Sequence, residues 1–226
     1  MKVTDKIELY NLDCFDFIET MDSNSVDLLL VDTPYGMDFQ SNFRKEKHIK
    51  IANDNNLEWL PNWLNQVKRI LKDDAHAYIF CSWHKIDIFK QEIEKLFKIK
   101  NIIVWCKNGG GMGDLSGGYG GCHEFIIFIN NGKSLNGKRD TDVINKAYRT
   151  GNEHHPTEKP VNLMEYFIEK STKQNDLVFD CFMGSGATAL ASHNTDRRFI
   201  GCEIEKIHFD TSVQRVKNHI LQKKLF

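Results

Sequence analysis

The run Val26-Asp27-Leu28-Leu29-Leu30-Val31-Asp32 constrains the fold more than any other stretch of the chain. Side chains of an extended strand alternate between two faces, and here both are apolar: Leu28 and Leu30 on one, Leu29 and Val31 on the other. A strand that must be covered on both sides belongs inside a sheet sandwiched between helices, as parallel strands are. The rest of the chain supplies such helices. Leu57, Leu60, Leu64, Val67, Ile70 and Leu71 recur at helical spacing, with Pro61 in the first turn, where a missing N–H is harmless. Ile86, Phe89, Ile93, Leu96 and Phe97 mark another amphipathic helix. Helices are also expected at CFDFIETM, Val161–Thr172, Gly186–His193 and the C-terminal stretch. Between them lie the strand-like runs KIELYNL, HAYIFCS, NIIVWCK, EFIIFIN, LVFDC and FIGCE. About seven strands alternating with helices predict an α/β class with a mainly parallel sheet. The polar stretches 40–56 and 131–155 lack periodicity, and connections of that length are commonly functional.

Length and composition narrow the class. A chain of 226 residues suits one sizeable core and is short for two generous domains. Its formal net charge of -1 gives no overall signature of a nucleic-acid binder, although a local basic patch is enough for one. Cys14, Cys81, Cys106, Cys122, Cys181 and Cys202 form no C-x-x-C pair and mostly sit in apolar runs. Neither a disulfide framework nor a metal site is expected from them. No signal core and no membrane-length apolar run is visible, so a reduced cytoplasmic compartment is the expectation.

Ligands of open α/β sheets bind beyond the carboxyl ends of the strands, which makes unusual strand ends the place to look. Two qualify. In LVFDCFMGSGATALA a strand ends at Asp180, and Gly184-Ser185-Gly186 turn the backbone into a helix whose first N–H groups are unpaired. The next strand ends in Glu203, an acceptor suited to ribose hydroxyls. Read alone, this also satisfies the G-x-G-x-x-A dinucleotide pattern with a distal acid, so a nicotinamide-dependent oxidoreductase stays open. A plain glycine turn beside a solvated glutamate is the simpler alternative. The second end is Asp32-Thr33-Pro34-Tyr35-Gly36. Pro34 keeps Thr33 extended and carries Tyr35 to the exposed end of the strand, although the same residues are acceptable turn chemistry.

Together the two ends resemble the amino-directed DNA methyltransferases, which methylate adenine N6 or cytosine N4 with S-adenosylmethionine (SAM). Asp32-Thr33-Pro34-Tyr35 is similar to the family's Asp/Asn/Ser-Pro-Pro-Tyr motif, and Phe182, Gly184 and Gly186 to its Phe-x-Gly-x-Gly motif. NLDCF, VKRILKDDAHAYIFCS, IIVWCK, CHEFIIF, HPTEKPVNLMEYFI and FIGCEIEKIHFDTSVQRV also look family-like, leaving 40–56 and 131–154 uncovered. The catalytic motif precedes the cofactor motif, the order of the β class. The resemblance implies a class I SAM-dependent methyltransferase (Rossmann-like) sheet with one antiparallel strand and helices on both faces. It also implies a single domain over 1–226: a catalytic half over 1–107, a cofactor half over 155–226 and a small target-recognition insert over 108–154.

The resemblance further implies residue roles. Asp32 and the Thr33 carbonyl accept the N–H bonds of the target amino group, and Asp32 also borders the cofactor. Thr33 stands where proline is usual; acting through its backbone, its side chain should be replaceable. Pro34 limits the local backbone, and Tyr35 stacks on a base flipped out of the duplex. Asp13 and Cys14 are expected near the SAM adenine, Asp180 and Phe182 near its methionine and adenine portions, Ser185 in the turn and Glu203 at the ribose. His155, Thr157 and Lys159 complete the cofactor site, with Thr157 and Lys159 on the methionine carboxylate. Trp105 and Lys107 read as structural, and His123 and Glu124 carry no assigned role. Phe39, Arg44, Lys45 and Lys47, with Lys138, Arg139 and Arg149, are expected to form two DNA-contacting loops that flank one pocket. Asp at the first motif position favours adenine; cytosine N4 is the nearest alternative. The expected partner is double-stranded DNA rather than a membrane, and the compact insert suggests a short target or a homodimer.

Overall fold

The computed structural model describes residues 1–35, 56–107, 117–145 and 158–223. Its chain begins with β1 (Ile7–Tyr10), α1 (Cys14–Glu19), β2 (Val26–Asp32), α2 (Leu60–Ile70), β3 (Leu71–Cys81), α3 (Ile86–Glu94) and β4 (Ile99–Cys106). It continues with β5 (His123–Asn130), β6 (Val143–Ile144), α4 (Val161–Ser171), β7 (Leu177–Asp180), α5 (Ala187–Asn194), β8 (Arg198–Cys202) and α6 (Lys206–Lys223). The strands form one sheet in the order β1-β8-β7-β2-β3-β5-β4-β6. β5 runs antiparallel to both β3 and β4, and the other neighbours are parallel. One antiparallel strand was expected; eight strands rather than about seven were not. The extra one, β6, pairs Val143 and Ile144 with Val104 and Trp105 inside the stretch read as irregular. Two residues are too few to display an alternating pattern.

β2 sits where its sequence demands, between β7 and β3. Leu28 and Leu30 pack into a core with Phe167 of α4, Leu190 of α5 and Val216 of α6. Leu29 and Val31 pack into the opposite core with Ile18 of α1, Leu64 of α2 and Phe89 of α3. Each of these leucines is fully buried, a gain of roughly 1.5–3 kcal/mol apiece. Asp27, on the same buried strand, is matched at its carboxylate by Lys72 at 2.6 Å and by the Leu177 N–H at 2.8 Å.

The parallel strands bring their carboxyl ends to one edge. There Asp32, Asp180 and Cys202 end neighbouring strands, with Tyr10 next in line. β5 runs the other way, so its first residues, His123 and Glu124, reach the same edge. No helix of the described residues is long and apolar enough to cross a membrane.

Candidate active site

The glycine turn after β7 is braced from three sides. Gly184 and Gly186 both take positive φ, 48° and 79°, a conformation that side chains with a Cβ resist. Asp180 is buried; its carboxylate accepts from the Phe182 N–H at 3.0 Å and the Thr188 hydroxyl at 2.6 Å. Burial pushes its pKa up to about 7, against the pull of those two donors. Glu203 reaches across from the end of β8, accepting from the Gly184 N–H at 3.0 Å and the Glu205 N–H at 2.9 Å. Burial also raises the Glu203 pKa, and the same N–H groups oppose it. Ser185 is buried and accepts from the Arg215 guanidinium at its hydroxyl, 3.0 Å away, and at its carbonyl. Arg215, on α6, is a brace that sequence reading did not single out.

Phe182, Asp13 and Cys14 lie next to the carboxyl ends of the neighbouring strands. Phe182 stands against the Trp59 and Trp63 rings, with centroids 5.7 and 5.8 Å away. Asp13 caps α1, accepting from the Phe15 N–H at 2.8 Å. Cys14 is buried, and burial pushes its thiol up to about 12, so it behaves as a small apolar group.

Asp32, on the strand beside β7, is the centre of a charged cluster. One carboxylate oxygen accepts from the Tyr35 hydroxyl at 2.7 Å, and the other meets the Lys159 ammonium at 2.5 Å. The buried Lys159 also lies 3.2 Å from Glu124, whose second oxygen pairs with Lys107. Burial holds Asp32 above the ordinary carboxylate range, with Lys159 opposing and Glu124 adding to the rise. Burial acts the same way on Glu124, but Lys159 and Lys107 outweigh it and hold that carboxyl low. Burial alone would lower Lys159, and its two carboxylates keep it raised. Burial and Asp32 drive the Tyr35 phenol well above its usual range.

Several expectations change. Thr33 does not leave its side chain idle: it is buried, and its hydroxyl donates to the Phe80 carbonyl of β3 at 3.0 Å. Glu124 and Lys107, assigned no catalytic setting from sequence, join the cluster around Asp32. A signal existed, because Glu124 shares its strand face with the buried Ile126 and Phe128, and a carboxylate there needs partners. Lys138 and Arg139 lie on the segment between β5 and β6. Their segment is tied to the far end of α4: Asn136 bonds to the Glu169 and Thr172 carbonyls, and Lys170 to the Lys138 carbonyl and Asp140. Phe39, Arg44, Lys45, Lys47, Arg149, His155 and Thr157 lie outside the described residues.

With this geometry in hand, similarity to known proteins is informative. The sequence model of a DNA methylase family, the N6/N4 type, matches residues 26–214. YubD of Escherichia coli (strain K12) is 34% identical over 206 residues, spanning 90% of this chain and 87% of its own. The type II methyltransferase M2.MboI of Moraxella bovis is 29% identical over 252 residues, spanning 95% and 92%. Among solved structures, the M1.HpyAVI–SAM complex superposes with a TM-score of 0.72 at 28% identity, over 92% of this chain and 99% of that one.

Proposed function

The chain belongs to the N6/N4 DNA methylase family, and we propose that it transfers the methyl group of SAM to the N6 amino group of adenine in duplex DNA. The family to which it belongs uses SAM to methylate DNA; adenine as the target base is our reading, and so are the residue roles. One observation carries it. The carboxylate of Asp32 and the braced glycine turn end adjacent parallel strands, β2 and β7, so an acceptor for an amino group stands beside a nucleoside site.

The residues of the turn fit SAM better than a dinucleotide. Glu203 already engages the Gly184 N–H that a pyrophosphate would seek, and Asp180 engages that of Phe182. Two carboxylates repel a diphosphate and suit a cationic sulfonium. When bound, SAM supplies an electrophilic methyl carried on positively charged sulfur.

The chain has to prepare the nucleophile. An exocyclic amino group is weakly nucleophilic because its lone pair is delocalised into the ring. In this reading the Asp32 carboxylate and the Thr33 carbonyl accept its two N–H bonds, which favours a pyramidal nitrogen and stabilises the positive charge that grows there. The Thr33 hydroxyl, anchored on Phe80, and the ring of Pro34 fix the carbonyl for that purpose. Asp32 need not be a strong base, since the methylated nitrogen becomes acidic and loses its proton readily. A base inside a duplex is out of reach, so it must be flipped, and Tyr35 then offers it a face, worth roughly 1–3 kcal/mol. Asp at the head of the motif, where N4 enzymes more often carry Ser, favours adenine.

Incubation with methyl-labelled SAM and duplex DNA, followed by nucleoside analysis, tests the reading. N6-methyladenine is expected. N4-methylcytosine would overturn the choice of base, and no methylated nucleoside would overturn the activity.

A further inference from the structure

Among the described residues, the charges behind Asp32 pair formally, two carboxylates with two ammonium groups, but they differ in burial. Lys159 is buried between two carboxylates, Asp32 at 2.5 Å and Glu124 at 3.2 Å. The fourth charge, Lys107, reaches Glu124 from a side chain that is 31% exposed, so solvent screens it more than the inner three. The inner trio therefore presents a net negative charge beside the reacting position.

Packing does not require this arrangement. Among the described residues, Glu124 Oε2 and Trp105 Nε1 are the buried side-chain polar atoms without a hydrogen-bond partner, and the two residues face each other directly in the β4–β5 ladder. Glu124 Oε2 thus has the Lys159 ammonium, 3.2 Å away, as its ionic neighbour, while its other oxygen takes Lys107. A cluster of ion pairs taken out of water is a weak source of stability compared with apolar packing of the same volume.

We propose that Glu124 is a positioning residue for methyl transfer: by balancing Lys159 it leaves the Asp32 carboxylate electrically available to a sulfonium donor and to the amino group that becomes cationic. Without Glu124, Lys159 would neutralise Asp32 and add a cation where two more positive centres must come together. The inference rests on the methyltransferase reading above.

S-adenosylhomocysteine lacks the methyl group and the positive charge of SAM, so the ratio of their affinities reads the charge of the site without turnover. Calorimetry on the full chain with each ligand, for wild type and Glu124→Gln, is paired with single-turnover methylation of duplex DNA. In Glu124→Gln the preference for SAM is expected to fall about tenfold, with a parallel drop in rate. Glu124→Asp, which keeps the charge, should retain the preference. Lys107→Gln removes the cation on the far side of Glu124 and should move the ratio the opposite way. An unchanged ratio, or equal weakening of both ligands, in Glu124→Gln overturns the proposal and leaves the methyltransferase reading intact. If that variant does not fold, Lys107→Gln decides: a ratio at or below the wild-type value overturns the proposal. A wild-type chain that binds neither ligand overturns the reading itself, and the role of Glu124 with it.

Discussion

An ionised carboxylate offers about four acceptor sites, and at Asp32 the Lys159 ammonium and the Tyr35 hydroxyl fill two of them. Room remains for an amino N–H without breaking either contact. Asp32→Ala removes that acceptor and is expected to lower methylation roughly a hundred- to a thousandfold. S-adenosylhomocysteine affinity, followed by calorimetry, should survive because the turn residues are untouched, whereas the preference for SAM should fall as in Glu124→Gln; retained methylation would remove Asp32 from the mechanism. Thr33 makes a separate case. Thr33→Val keeps the shape but deletes the bond to the Phe80 carbonyl, with an expected loss of about 1 kcal/mol in denaturant unfolding. Methylation should fall as well, since the carbonyl loses its anchor. Wild-type stability and rate in this variant would restore the simpler picture in which only the backbone of Thr33 matters.

Among the elements, the β7–α5 turn depends most on backbone conformation. Gly186 opens α5 at φ 79°, and a Cβ there would come within 3.1 Å of the Ser212 Cβ on α6. Gly186→Ala should therefore cost about 1–2 kcal/mol from the left-handed backbone alone. SAM binding should weaken too, because the turn, α5 and α6 would shift together. Thermal unfolding with and without SAM measures both. The elements were readable from sequence to different depths. β2 declared its burial on both faces through its leucines. β6 did not declare itself at all, since its pairing with β4 is set by β4 and not by any pattern of its own.

For the whole molecule, Asp180 links stability to pH. Its carboxyl rises from an ordinary value of 3.8 to about 7 on folding, chiefly through burial. The folded state thus holds a proton that the unfolded chain releases, and folding loses stability as pH rises between those values. Its contribution is fully present below about pH 4 and is gone above about pH 7. Asp180→Asn removes this dependence while its amide oxygen can still accept from one of the two donors. The difference between the two melting temperatures should change across pH 4 to 7 and level off above it. A difference that stays constant over that range would mean Asp180 titrates as an ordinary surface acid.

The sequence by itself determined the layered α/β fold and the two strand ends on which a site is built. Both are local matters: alternation of apolar side chains fixes which faces are buried, and glycine, proline and acid at a strand end fix a turn. Charge pairing across the site was decided only by the tertiary structure. Asp32, Glu124 and Lys159 are separated by 92 and by 35 positions, yet they meet because β5 runs against its neighbours and α4 starts at the carboxyl edge. A contact of the same kind holds the loop after β5: the Lys170 ammonium donates to the Lys138 carbonyl, 32 positions away. Ionic partners are chosen by distance and desolvation in three dimensions, and neither quantity is written along the chain.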